Sequence, residues 1–274
     1  MSPITAEQVS SLRRRTGVSI SAVKSALEEA KGDEEKAIDI LRKRGVAQAV
    51  KKSDREQKEG SMFLERSGNK AALVHLACET DFVARGDDFQ NAGKALAKTA
   101  IAKGTDAAKA EAASVMPALV SKLGENITLA DVVVLEGATL GTYVHSNAKI
   151  GVMVTLDPST RQNDSVGLAS SGQVPSEEIA KDVAMHAAAM APKVVSPDQV
   201  GSDAVEKEKE VWREALKREG KPEAMWDKIM IGKEKKFREE SALIKQPFVK
   251  DATKTVEQHL GGAKITGYVR LSVT

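Results

Sequence analysis

The sequence predicts an α+β fold that begins with a helical module. Three observations carry this. The first fifty residues repeat apolar positions at helical spacing between capping signals. Two strand–turn–strand patterns follow, each leading into a helix. Residues 203–237 form a charge-dense stretch with helical periodicity and a break at Gly220-Lys221-Pro222.

The elements follow in order. Thr5-Ala6-Glu7-Gln8 has capping-box spacing, Val9 and Leu12 lie three apart on one face, and Thr16-Gly17 stops the helix. A second helix starts near Ser19 or Ser21, buries Val23, Ala26, Leu27 and Ala30, and ends at Gly32. Asp33 caps a third with Ala37, Ile38 and Leu41 inward, expected to end at Gly45. The polar run 51–60 reads as a solvated linker.

The period then changes from helical to alternating. Residues 62–65 and 71–77 are strand-like and are joined by Ser67-Gly68-Asn69, a hairpin signal. A helix is expected at about 87–103, capped by Asp87 or Asp88. The order recurs: strands at 139–144 and 150–156 around Ser146-Asn147, then a helix at about 176–190. One constant offset places Ser67 on Ser146 and Lys70 on Lys149, which suggests two similar subdomains. A last strand at 264–273 returns to the second of them.

In the stretch 203–237, Val205, Val211, Trp212, Ala215 and Leu216 recur at helical spacing. Met225, Ile229 and Phe237 continue an apolar side after a helix stop and a first-turn proline. This reads as an antiparallel helical hairpin. The expected organisation is a three-helix module at 1–50, a linker at 51–60, and a core subdomain at 61–138. A second core subdomain takes 139–202 and 238–274, with the hairpin at 203–237 inserted in it.

Composition excludes several function classes. Lys and Arg number 41 against 39 Asp and Glu, a net charge of +2, which argues against binding nucleic acid or membrane by bulk electrostatics. Aromatic residues make up 3% of the chain, too few for base-stacking platforms. Cys78 is the one cysteine, so there is no internal disulfide and no cysteine-rich zinc site. No apolar run has the length of a membrane span, and no apolar signal segment follows Met1. The expectation is a cytoplasmic, helix-rich, reduced protein.

Catalytic signatures are missing. Gly93-Lys94, Gly220-Lys221 and Gly232-Lys233 all lack the upstream glycine of a phosphate-binding loop. His75, His145, His186 and His259 are scattered and form no metal pair. Cys78 lies at the end of an apolar strand beside Glu79, which raises a thiol pKa and reads as structural. An enzyme built from dispersed residues is the weakest reading.

One segment does not fit a simple core. The strand ending at Cys78 runs into Glu79-Thr80-Asp81-Phe82-Val83-Ala84-Arg85, and Gly86-Asp87-Asp88 opens the next helix. A phenylalanine on a strand-to-helix loop either folds back to plug the junction or projects as a finger held by Thr80. In the second case Asp81 is free to accept backbone hydrogen bonds from a partner. Burying one phenylalanine is worth about 1.5–3 kcal/mol, enough to anchor an interface.

Thr80-Asp81-Phe82-Val83, within residues 79–85, resembles the signature of the elongation factor Ts family. Leu12-Arg13-Arg14-Arg15-Thr16-Gly17 with Lys24-Ser25-Ala26-Leu27 and Gly32-Asp33 is similar to its amino-terminal motif. Lys122-Leu123-Gly124-Glu125-Asn126-Ile127, Ile150-Gly151-Val152, Met185-His186-Ala187-Ala188 and Gln246-Pro247-Phe248-Val249 also match, in the family's order.

The resemblance implies a ubiquitin-associated-like three-helix module, two similar core subdomains and an inserted coiled-coil hairpin. It implies a guanine nucleotide exchange factor, with no covalent chemistry and no cofactor or metal of its own. The implied partner is the GTPase elongation factor Tu, with no direct nucleic acid and no membrane. Thr80, Asp81, Phe82 and Val83 would push into that GTPase and displace its Mg²⁺, releasing GDP for GTP. Arg13 and Ile20 are implied as further contacts, although the family's usual methionine pair is Ile20-Ser21 here, a weaker apolar knob. His186 lies on a helix that the resemblance places against the GTPase. The hairpin is implied as a route to a homodimer or 2:2 complex. For Arg13, Arg14 and Arg15, a solvated helix end suiting the carboxyl-terminal dipole is the alternative. Two other readings stand beside these: a non-enzymatic adaptor, which leaves the 80–83 loop unexplained, and an RNA-associated factor using the basic clusters.

Overall fold

The computed structural model describes residues 4–158 and 176–273. Residues 159–175 of the expected 139–202 subdomain lie outside the described residues. The class is α+β, with helices joined to small antiparallel sheets. Among the described residues, contacts divide the chain into two units, one built on 4–134, 144–151 and 271–273, the other on 135–143, 152–158 and 176–270.

The first unit opens with α1 (Ala6–Thr16), α2 (Ile20–Glu29) and α3 (Glu34–Lys52). Their starts follow the capping chemistry of the sequence. The Gln8 N–H donates to the Thr5 hydroxyl at 3.2 Å and the Thr5 N–H to the Gln8 side chain at 3.0 Å, a complete capping box. Ser19 and Asp33 cap α2 and α3. Leu12, Val23, Leu27, Ala37 and Leu41 close into one apolar cluster.

Helix α3 does not stop at Gly45 but continues to Lys52. A Cβ at Gly45 would lie 2.9 Å from the Pro117 carbonyl oxygen, so this glycine permits close helix packing rather than ending a helix. Both ends of the stretch expected as a linker, 51–60, are therefore taken by regular structure. The last turn of α3 occupies one end and β1 (Glu59–Ser67) begins at the other.

Strands β1 and β2 (Lys70–Cys78) pair antiparallel from Glu59↔Cys78 to Ser67↔Lys70. Gly68 turns the hairpin at φ +58°, a first turn position that disfavours a side chain. Ala72, Val74, Leu76 and Cys78 alternate into a core with Phe63, Phe89 and Leu96. After the short α4 (Asp81–Arg85) comes α5 (Asp87–Lys103) at the expected place. Gly86, however, stands at its N-cap with no side-chain bond, and Asp87 and Asp88 lie in its first turn, where their charge suits the helix dipole, rather than capping it. Helix α6 (Thr105–Leu123) and β3 (Thr128–Glu136) completed this unit with no assignment from sequence. Pro117 interrupts the helical signal inside α6, and β3 is nowhere fully buried, so its alternation is faint.

The second unit has the sheet order β4 (Thr139–Val144), β5 (Ile150–Asp157), β8 (Lys264–Ser272), with α7 (Glu177–Met190). Its hairpin is α8 (Ser202–Arg218) and α9 (Trp226–Ser241). Val205, Leu216 and Met230 are buried, and Trp212 meets Phe237 edge-on at 5.9 Å. Val211 instead is 57% exposed, which takes it off the inner stripe. A 3₁₀ turn over Glu223–Met225 separates Pro222 from α9, so the proline precedes the helix rather than lying in its first turn. Strands β6 (Pro247–Phe248) and β7 (Asp251–Thr255), helix α10 (Val256–His259) and β8 (Lys264–Ser272) follow.

Candidate functional site

Thr80, Asp81, Phe82 and Val83 stand together at the junction of β2 and α4. Strand β2 ends at Cys78, and Thr80 takes extended backbone angles and N-caps α4, accepting the Val83 N–H at 3.4 Å. Asp81 pairs with Arg85 one turn on at 2.9 Å. Phe82 is 84% exposed. Of the two positions open to it from sequence, it takes the projecting one. Val83 is half-buried against the core of the first unit, and Ala84 is buried in it, so α4 is rooted on one side while Phe82 faces out.

The base of this finger is held from a distant part of the chain. One Glu125 oxygen accepts the Glu79 and Thr80 N–H groups, each at 3.0 Å, and the other accepts the Thr80 hydroxyl at 2.6 Å. In return the Glu79 carboxylate accepts the Asn126 N–H at 2.7 Å. The buried Asn126 amide donates to the carbonyls of Ser53 and Arg55, and Arg55 reaches Glu79 at 3.4 Å. Lys122 pairs with Asp88 at the start of α5 at 2.7 Å. Glu125 lies within the Lys122-Leu123-Gly124-Glu125-Asn126-Ile127 motif, which carries no role legible from sequence. Forty-odd residues separate it from Thr80, and no local pattern reports such a contact.

Cys78 lies beneath the finger. Burial, reinforced by the nearby Glu125 carboxylate, pushes its thiol up to about 12. The structural reading of this cysteine holds in its surroundings.

Arg13 and Ile20 come together on the amino-terminal helices. They line one shallow groove of ≈ 430 Å³ with Ile4, Val9 and Lys24. Ile20, the first residue of α2, is 56% exposed. Arg15 in the same basic turn is instead tied to Glu34 at 2.8 Å and Glu35 at 3.2 Å.

His186 differs from the expectation of a contact residue: its side chain is fully buried in the second unit. Its Nδ1 accepts the Val249 N–H at 3.2 Å, which leaves the proton on Nε2 to donate to the Gln246 side-chain oxygen at 3.0 Å. Burial holds this imidazole below the ordinary histidine pKa, and nearby His259 acts in the same direction. Both nitrogens are spent inside, so in this structure the group organises the 246–249 turn and presents no atom to a partner.

Among the described residues, no group of three or more His, Cys, Asp or Glu side chains could hold a metal ion, and no helix is long and apolar enough to cross a membrane.

Residues 79–274 match the family model described as elongation factor TS. The chain is 40% identical over 276 residues to the elongation factor Ts of Deinococcus deserti, covering 97% of this chain and 98% of the relative. Elongation factor Ts of Deinococcus radiodurans is 41% identical over the same shares. That of Cytophaga hutchinsonii is 37% identical over 292 residues, spanning both chains completely. On likeness that runs from end to end, and with the 80–83 loop inside the matched region, the chain belongs to the elongation factor Ts family.

Proposed function

We propose that this translation elongation factor works as a guanine nucleotide exchange factor. It binds elongation factor Tu carrying GDP, and the loop of Thr80, Asp81, Phe82 and Val83 enters the GTPase and displaces its Mg²⁺. GDP then leaves and GTP rebinds. The observation that carries this reading is the 84% exposure of Phe82 on a loop whose base is clamped by Glu125. A large apolar side chain held outward has its burial still to come, and about 1.5–3 kcal/mol is available when a partner covers it.

The mechanism is a trade of contacts. Protein–protein burial around Phe82 offsets the metal and phosphate coordination that GDP loses, and no bond of this chain is made or broken. The groove at Arg13 and Ile20 offers a second contact on the amino-terminal module, and the helix of His186 a third, with the imidazole acting through the backbone it holds. The domain organisation serves this reading: the 1–50 module and the two core subdomains meet the GTPase, and the 203–237 hairpin is available to a second copy. The chain itself needs no cofactor, touches no nucleic acid or membrane, and acts in the cytoplasm.

Linkage supplies the test. If the factor weakens GDP binding, GDP must weaken binding of the factor by the same ratio. Titration calorimetry of this protein into elongation factor Tu, nucleotide-free and GDP-loaded, should give a much tighter complex in the first case. Equal affinities would contradict the exchange reading.

A further inference from the structure

We propose that Glu125 is the positioning residue for the Phe82 finger. The inference rests on the exchange reading above and adds the group that sets the finger's pose. Helix α4 has five residues, too few to be stable on its own hydrogen bonds. Its cap is long, with the Val83 N–H 3.4 Å from the Thr80 hydroxyl oxygen. Something outside the segment must therefore fix its direction.

The Glu125 carboxylate does so at three points. It takes the Glu79 and Thr80 N–H groups on one oxygen and the Thr80 hydroxyl on the other. A carboxylate accepting from two consecutive amides defines the path of the chain between them. Binding the Thr80 hydroxyl as donor also leaves that oxygen's lone pair turned toward Val83, so one contact sets the cap that starts α4. The mount is itself rigid. Asn126, the next residue, is buried, and it is bound by its N–H to Glu79 and by its amide to the Ser53 and Arg55 carbonyls. The Glu125 carboxylate thus holds the Glu79 and Thr80 amides while the Glu79 carboxylate holds the Asn126 amide, and the finger stands on that reciprocal arrangement. Glu125 is half-buried behind the loop, and its role is geometric: reach and acceptor oxygens matter, not charge offered to a ligand.

Release of a fluorescent GDP from elongation factor Tu tests this with six proteins. These are the wild type, Phe82→Ala, Glu125→Ala, Glu125→Asp and Glu125→Gln, together with the double variant of Phe82→Ala and Glu125→Ala. A misaimed finger is expected to cost about 10-fold or more in stimulated release. Glu125→Ala loses the acceptors, and Glu125→Asp keeps the charge but falls a methylene short, so both should show that loss. Glu125→Gln keeps the reach and one of the two acceptor oxygens, enough to hold the Glu79 and Thr80 amides, and should recover part of the rate. The double variant should be no slower than Phe82→Ala alone, because Glu125 acts through Phe82. Circular dichroism checks folding, and if Glu125→Ala does not fold, the Asp and Gln pair decides.

The outcomes separate the two ideas. Slow release with Phe82→Ala but full rates with Glu125→Ala and Glu125→Asp would overturn the positioning role alone. So would losses that multiply in the double variant, or an active Glu125→Asp beside an inactive Glu125→Gln. Failure of the wild type to speed release would overturn the exchange reading, and the positioning role with it.

Discussion

The Cys78 thiol donates to the Thr80 carbonyl oxygen at 3.2 Å, so the sulfur closes the end of β2 directly beneath the exposed finger. The sulfur is fully buried, and burial together with the Glu125 carboxylate pushes its pKa up to about 12. At pH 8 about one thiol in 10,000 is then ionised, against about a quarter for an ordinary cysteine. Native protein should react with Ellman's reagent about 1,000-fold more slowly than urea-unfolded protein. Comparable rates would mean that the strand end opens freely.

Stability should fall on the acid side of neutrality. His75 and His186 are both held below the ordinary histidine pKa of about 6.5, burial being the main cause for each. The unfolded chain therefore binds protons that the folded chain does not. Their contribution is complete above about pH 6.5 and is lost as the pH falls through that value. The ceiling is about 1.4 kcal/mol per pH unit for each histidine. Urea unfolding at pH 7.5 and pH 5.5 measures it, and an unchanged midpoint would contradict these burial assignments.

The contact between β4 and α7 leaves no room for a side chain. A Cβ at Gly141 would lie 2.1 Å from the Ala180 carbonyl carbon and oxygen, backbone atoms that cannot turn aside. Gly141→Ala should destabilise the protein by about 1–3 kcal/mol. Thermal unfolding reads it directly, and an unchanged midpoint would show that α7 can shift away from the sheet.

Much of this architecture was legible because its signals are local. Thr5 and Gln8, Ser19 and Asp33 announce helix starts by side chains that bond a few residues away. Gly68-Asn69 announces a hairpin through the angles that it permits. Gly45 misled because a glycine's reason can be tertiary: it admits the Pro117 backbone, and local rules read it as a stop. Helix α6 escaped because Pro117 breaks its pattern from within.

The site divides in the same way. In the sequence, 79–85 reads as a loop with Thr80 holding the finger; that Thr80 does so as the N-cap of the short helix α4 comes from the structure. The direction of Phe82 was not legible, because it depends on Glu125, whose carboxylate arrives from beyond α6. The resemblance favoured the projecting finger where composition and spacing left two positions open. For His186 the local reading was the better guide, since a lone histidine on an apolar helix face is usually an interior group.

The most direct test of the account is stopped-flow release of a fluorescent GDP from elongation factor Tu, with wild-type protein and with Phe82→Ala. The side chain is exposed, so its removal should leave thermal stability within about 0.5 kcal/mol of wild type. The burial it forfeits on binding corresponds to a loss of about 10- to 100-fold in stimulated release. Strong acceleration by wild type, lost in the folded variant, is the predicted result. Acceleration that survives in Phe82→Ala would contradict the finger, and a folded wild type that leaves GDP release unchanged would contradict the exchange function itself.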